Sequence, residues 1–190
     1  FKNDISEGRK PKTVNIYLQL LKQIWETAKK EWSITLPAQN PLALVSLNKV
    51  KNTRDIILND DEYKRLLEAA ETSKLYSLKD TIQFAYMTGA RLNEIMQLKQ
   101  SDVDITRKLC TFVDVKSNLD EREDRTIPID DSVIAILKKY PFRKYIFYVQ
   151  EDKFRFYFNQ ARWKAKLDNF RFHDLRSCFA SNCIANGLSI

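Results

Sequence analysis

Between residues 109 and 116 the side chains change period. Leu109, Thr111, Val113 and Val115 alternate with Cys110, Phe112, Asp114 and Lys116, and strict alternation puts one set on each face of a half-buried strand. Residues 125–129 (Arg-Thr-Ile-Pro-Ile) read as the returning strand. Pro128 places that strand at a sheet edge, because proline donates no ladder hydrogen bond. Residues 117–124 form the polar loop between the two. Around this hairpin the apolar spacing is helical, and the chain has only three glycines and five prolines to interrupt it. The expected fold class is therefore mainly α with a small antiparallel β-sheet.

Over residues 13–32 one helical stripe runs through Val14, Tyr17, Leu18, Leu21, Ile24, Trp25, Ala28 and Trp32. Pro11 suits its first turn, where a missing N–H costs nothing. The helix should end near Ser33, and Leu-Pro-Ala-Gln-Asn-Pro at 36–41 is a clear break. Its apolar face is too wide for a lone 50-residue piece, so packing against further helices is expected. Residues 49–55 are polar, basic and aperiodic, as in a linker. Asn59 or Asp60 caps a helix through Ala70, whose first turn carries acids that suit the helix dipole. A helix from Leu78 to Met87 closes at Gly89, and another from Ala90 to Leu98 buries Leu92, Ile95 and Met96. Three more are expected at 131–140, 153–166 and 174–186, the last with Asn186-Gly187 as its C-cap. Leu175, Cys178, Phe179 and Cys183 fall on one packing stripe, so the two cysteines are core residues.

Charge divides the chain. Residues 1–50 carry 8 basic and 4 acidic side chains, 51–137 carry 13 and 17, and 138–190 carry 11 and 4. An acidic middle between basic ends suggests a surface that is positive on chosen faces, as a nucleic-acid clamp would be. No apolar run approaches the ~20 residues needed to span a membrane. Three cysteines without a C-x-x-C pair read as reduced thiols in a cytosolic protein. The chain starts at Phe1 and stops at Ile190 within a helical pattern, so both ends read as cut.

Two segments carry the chemistry. His173-Asp174-Leu175-Arg176 sets the single histidine one helical turn before an arginine, and residues three apart share a helix face. Upstream, Thr88-Gly89-Ala90-Arg91-Leu92-Asn93-Glu94 supplies a second arginine just past a glycine-broken helix. Planar guanidinium forks match the non-bridging oxygens of a phosphate under attack. Backbone N–H groups at helix starts add anion donors.

Together these segments resemble the tyrosine recombinase (phage integrase) family, whose paired signatures are T-G-x-R-x-x-E and H-x-x-R. The resemblance implies that Arg91 is the first catalytic arginine, His173 the histidine, Arg176 the second arginine, and Glu94 a brace for Arg91. Lys116 matches the hairpin lysine that protonates the departing 5′ oxygen. The loop after it is acidic where family loops tend to be short and basic, so Arg122 and Arg125 remain alternatives near the DNA. The family's nucleophilic tyrosine follows the H-x-x-R helix. All eight tyrosines here precede it, so no residue of this chain is named as the nucleophile.

By the same resemblance, residues 1–48 are the C-terminal part of a core-binding, DNA-clamping domain, 49–55 a linker, and 56–190 most of the catalytic domain. The implied protein is a cytoplasmic site-specific recombinase acting through a 3′-phosphotyrosyl intermediate, with neither metal nor other cofactor. Its implied partners are a double-stranded DNA recombination site and other recombinase protomers, as a tetramer on DNA, and no membrane. The rival readings are a type IB topoisomerase-like enzyme and a non-catalytic DNA-binding accessory protein.

Overall fold

The computed structural model describes residues 2–50, 56–116, 122–141 and 143–187, with 114–116, 122 and 123 described by their backbone. The chain divides into two compact units, 1–54 and 55–190. The greater part of the expected linker, 51–55, lies outside the described residues, as does the hairpin loop 117–121.

In the first unit, α1 (Lys2–Ser6) precedes α2 (Pro11–Lys30), with Pro11 in the first turn as its fixed φ favours. Val14, Leu18 and Ala28 of α2 are buried. The Asn15 side chain secures the chain at Asn48, donating to its carbonyl at 2.9 Å and accepting from its N–H at 2.8 Å. The expected stripe is only partly covered. Ile24 is exposed, and Trp32 lies past the helix end and is exposed too. The helix stops three residues before Ser33, which takes a left-handed φ of 52°.

The second unit is built around α4 (Leu78–Thr88), which packs against α3 (Asp60–Glu71), α5 (Leu92–Gln97), α6 (Asp131–Leu137), α7 (Glu151–Lys164) and α8 (Asp174–Ala185). A helix enclosed on all sides needs apolar residues all round, and Leu78, Ile82, Phe84 and Ala85 supply them. Thr81, Thr88 and the charged Asp80 are buried polar exceptions. The two Asp80 oxygens take Lys139 Nζ and Tyr140 Oη, each at 2.7 Å, so the charge is paired rather than stranded. Burial and the Asp80 hydrogen bond together push the Tyr140 phenol well above its ordinary range. The capping expectation at α3 holds: Asn59 accepts from Glu62 N–H at 2.9 Å, and Glu62 accepts from Asn59 N–H at 3.0 Å.

The sheet is antiparallel, in the order β1 (Val103–Asp104), β2 (Leu109–Lys116), β3 (Arg122–Pro128). As expected, the strand with Pro128 is an edge strand. Cys110 and Phe112 form the buried face of β2, while Val113 is 48% exposed. One extra residue in β2 between Phe112 and Val115 shifts the pairing with β3, a bulge that interrupts strict alternation. Counting faces from Cys110 therefore stops being valid before Lys116. Two elements, β1 and a short 3₁₀ turn at Gln100–Asp102, are too brief to leave a periodic signal.

Candidate active site

The turn after α4 carries the first half of the site. Gly89 closes the helix at φ 61°, ψ 18°, a left-handed conformation that glycine adopts without steric cost. A Cβ at this position would stand 2.5 Å from Cδ1 of Phe179 on α8, so any other residue here would have to displace that ring. Thr88 Oγ1 steadies the turn, donating to the Phe84 carbonyl at 2.6 Å and accepting from Ala90 N–H at 3.3 Å. Arg91 then caps α5. Glu94, in the first turn of that helix, accepts from Arg91 N–H at 2.9 Å and from Arg91 Nη1 at 2.8 Å.

The second half arrives on α8, whose start is fixed from α7. Phe172 sets its ring edge-on against Phe154 and Phe158, at 5.1 and 5.5 Å between centroids. Arg162 Nη1 donates to the Phe170 carbonyl at 3.1 Å and to that of Asp168. Asp174 accepts from Arg171 N–H at 2.8 Å. So placed, Arg176 reaches across the fold and donates from Nη1 to the Gly89 carbonyl at 2.6 Å.

Arg91, Glu94 and Arg176 are thus brought together. Burial depresses the Arg176 pKa, and the charges of Arg91 and Arg125 depress it further, while Glu94 opposes them. A guanidinium stays charged regardless, so the shift records its burial first and the like charges near it second. Arg91, Arg125 and Arg176 against one carboxylate leave a surplus of positive charge, the electrostatic setting an oxyanion fits. His173 is placed at the N-terminal end of α8 with its ring exposed. Its carbonyl accepts from Arg176 N–H at 3.1 Å. Among the described residues, no hydrogen bond joins its imidazole to either arginine. Lys116 ends β2 opposite Arg122, and the side chains of both lie outside the described residues.

Arg125 is the residue whose place here the sequence did not disclose. It crosses from β3 to Glu94, with Nη2 at 2.7 Å from Oε2. Burial alone would raise the Glu94 carboxyl, but the Arg91 hydrogen bonds and the Arg125 charge and hydrogen bond outweigh it and hold the group below its ordinary value. A signal did exist. Arg125 shares its strand phase with Ile127 and Ile129, and a charge in an apolar phase asks for a buried partner. Among the described residues, no cluster of three or more His, Cys, Asp or Glu side chains could hold a metal ion. None of their helices is long and apolar enough to cross a membrane.

The architecture is that of integrase catalytic domains. The structure superposes on a chain of the lambda integrase (75–356) dimer bound to a COC′ core site with a TM-score of 0.75, at 23% identity, covering 98% of this chain and 72% of that one. The catalytic domain of bacteriophage HP1 integrase matches with a TM-score of 0.57 at 27% identity, over 70% and 74% of the two chains. Residues 57–190 match the phage integrase family, and the chain belongs to that family. Among curated relatives, the integrase of Salmonella phage P22 is 27% identical over 92% of this chain and 47% of its own length. The tyrosine recombinase XerD of Staphylococcus aureus is 26% identical over 72% and 44%. The chain thus spans about half the length of the curated relatives it matches.

Proposed function

We propose that the protein carrying this chain is a site-specific DNA recombinase, or integrase, that cuts and rejoins double-stranded DNA through a 3′-phosphotyrosyl intermediate. The observation that carries the reading is the Arg176 hydrogen bond to the Gly89 carbonyl. It draws the H-x-x-R helix onto the turn that presents Arg91, although 87 residues separate the two. An accessory DNA-binding protein has no need of two guanidiniums at one point, and this convergence favours catalysis over that role.

In the proposed reaction a tyrosine oxygen attacks the scissile phosphorus, and the bond to the 5′ oxygen breaks. Arg91 and Arg176 bind the non-bridging oxygens as charge builds on them in the five-coordinate transition state. His173, at the start of the same helix as Arg176, adds a third contact to that phosphate. Lys116 gives its proton to the departing 5′ oxygen, and attack by a partner strand's 5′ hydroxyl reverses the step. The phosphotyrosyl bond conserves the energy of the broken diester, so the exchange requires neither nucleotide hydrolysis nor a metal. The nucleophile is none of the eight tyrosines in this chain.

The first unit, with its basic excess, is assigned to the end of a DNA-clamping domain (residues 1–48), with 49–55 as the linker to the catalytic domain at 56–190. Further protomers would assemble on the recombination site as a tetramer in the cytoplasm. In the full-length protein, Arg176→Lys should keep DNA affinity and lose most cleavage, because a point charge cannot reproduce a two-pronged contact. Gel shifts report binding, and covalent-complex formation on nicked DNA reports cleavage. A normal covalent yield from the variant would overturn the assignment.

A further inference from the structure

Glu94 is the meeting point of two arginines from different elements. Its side chain is 7% exposed, and it gives one oxygen to the Arg91 guanidinium at 2.8 Å and the other to Arg125 at 2.7 Å. Arg125 lies opposite Phe112 in the sheet, and its guanidinium sits 4.8 Å from the centroid of that ring. Phe112 is fixed in turn, edge-on to Phe84 of α4. Packed on a buried ring and tied to a buried carboxylate, the Arg125 guanidinium is held from both sides. This contact also fastens the hairpin to the turn that carries Arg91.

The arrangement controls what Arg91 can offer. A buried carboxylate with a single arginine beside it favours the two-pronged pairing that uses both guanidinium nitrogens. Here Oε2 takes both Arg125 Nη2 and the Arg91 main-chain N–H, so the Arg91 guanidinium meets Glu94 through Nη1 alone, at Oε1. The rest of its donors stay available in a side chain that is 46% exposed.

We propose that Arg125 is a positioning residue, which occupies the second oxygen of Glu94 and so keeps the Arg91 guanidinium turned toward the scissile phosphate, without itself touching DNA. The proposal rests on the recombinase reading above. It also sets Arg125 aside as the general acid, since a guanidinium bound to a carboxylate is stabilised in its charged form.

The test uses the full-length protein and single-turnover covalent-complex formation on nicked duplex, with DNA affinity measured by gel shift. Two substrates are compared, one with the ordinary 5′ oxygen and one with sulfur in its place, a leaving group that needs no proton. Arg125→Gln should lower the cleavage rate by roughly ten- to a hundredfold, the scale expected when a reacting group is misplaced by about an ångström. The loss should be equal on both substrates with affinity unchanged, Arg125→Lys should recover part of the rate, and Arg125→Gln should add little in a Glu94→Gln background.

Rescue by sulfur would make Arg125 or its neighbour the acid and overturn the proposal. A parallel loss of affinity would make it a DNA contact, full additivity with Glu94→Gln would place its action elsewhere, and an unchanged rate would remove it altogether. Should Arg125→Gln fail to fold, Arg125→Lys and Glu94→Gln carry the same comparison, and a Glu94→Gln protein that cleaves at the normal rate overturns the idea. Arg91→Ala separates the two levels. If it also cleaves normally, the catalytic reading itself fails. If it is inactive while Arg125→Gln is not, the positioning role alone fails.

Discussion

Gly89→Ala should be among the costliest single-methyl changes in this chain, and the cost has two parts that can be measured apart. The left-handed φ of 61° penalises any residue with a Cβ, by about 1–2 kcal/mol. The new methyl would also stand 2.5 Å from Phe179 Cδ1 and 3.1 Å from its Cγ, so the ring or the α8 backbone must give way. Overpacking of that kind costs typically ~1–3 kcal/mol. The sum, about 2–5 kcal/mol, is a large share of the ~5–15 kcal/mol that holds a typical domain together. Urea unfolding of wild type, Gly89→Ala, Phe179→Ala and the double variant gives the cycle. With the ring removed, Gly89→Ala should cost only its backbone part, and the coupling between the two sites should come to about 1–3 kcal/mol. Equal losses in both backgrounds would refute the steric account. A total below ~1 kcal/mol would refute the backbone account as well.

Three further outcomes are expected. The Glu94 carboxyl titrates below its ordinary value when folded, so its stabilisation is fully present above its unfolded pKa of about 4.3 and is lost as pH falls through the lower folded value. The stability gap between wild type and Glu94→Gln should therefore close in acid, and urea midpoints from pH 6 down to 3 would show it (about the range over which such a carboxylate protonates). Asp80→Ala strands Tyr140 Oη and removes the Lys139 partner, which should cost roughly 1–3 kcal/mol by the same unfolding assay, against about 0.5–1.5 for Tyr140→Phe. Lys116→Ala in the full-length protein should slow cleavage of ordinary DNA and be largely rescued by a 5′ sulfur substrate; equal losses on both would remove Lys116 as the acid.

The helices of the second unit were legible because each carries its own local signal. Asn59 and Glu62 announce a capped start, Gly89 announces a stop, and Leu175 with Cys178 mark a buried face, although Phe179 and Cys183 of the same stripe are only half-buried. The strand at 109–116 was legible by alternation, but alternation does not say which face is covered. Val113 looks like a core residue by composition, yet Phe112 fills the space against Phe84. The bulge before Lys116 was invisible because one extra residue changes register without changing composition. In α2, periodicity marked the helix but not the cover. Ile24 and Trp32 belong to its stripe and stay exposed, since apolar spacing reports a capacity to be buried and not the presence of a neighbour. At the site, the arginines could be named from short motifs. The Arg125–Glu94 and Arg176–Gly89 contacts span 31 and 87 residues, and no local pattern encodes a partner at that distance.

The Arg176 anchor has a consequence for how such a chain can diverge. Its acceptor is a main-chain carbonyl, and a carbonyl is present whatever amino acid the codon specifies. Drift in the surrounding turn cannot delete the acceptor and can only bend it away. The contact is thus inherited as a shape: selection acting on it would fall on the left-handed turn at position 89 and on the ring of Phe179 behind it. Chains that share few identical residues could keep the two arginines in register as long as that one bend is kept.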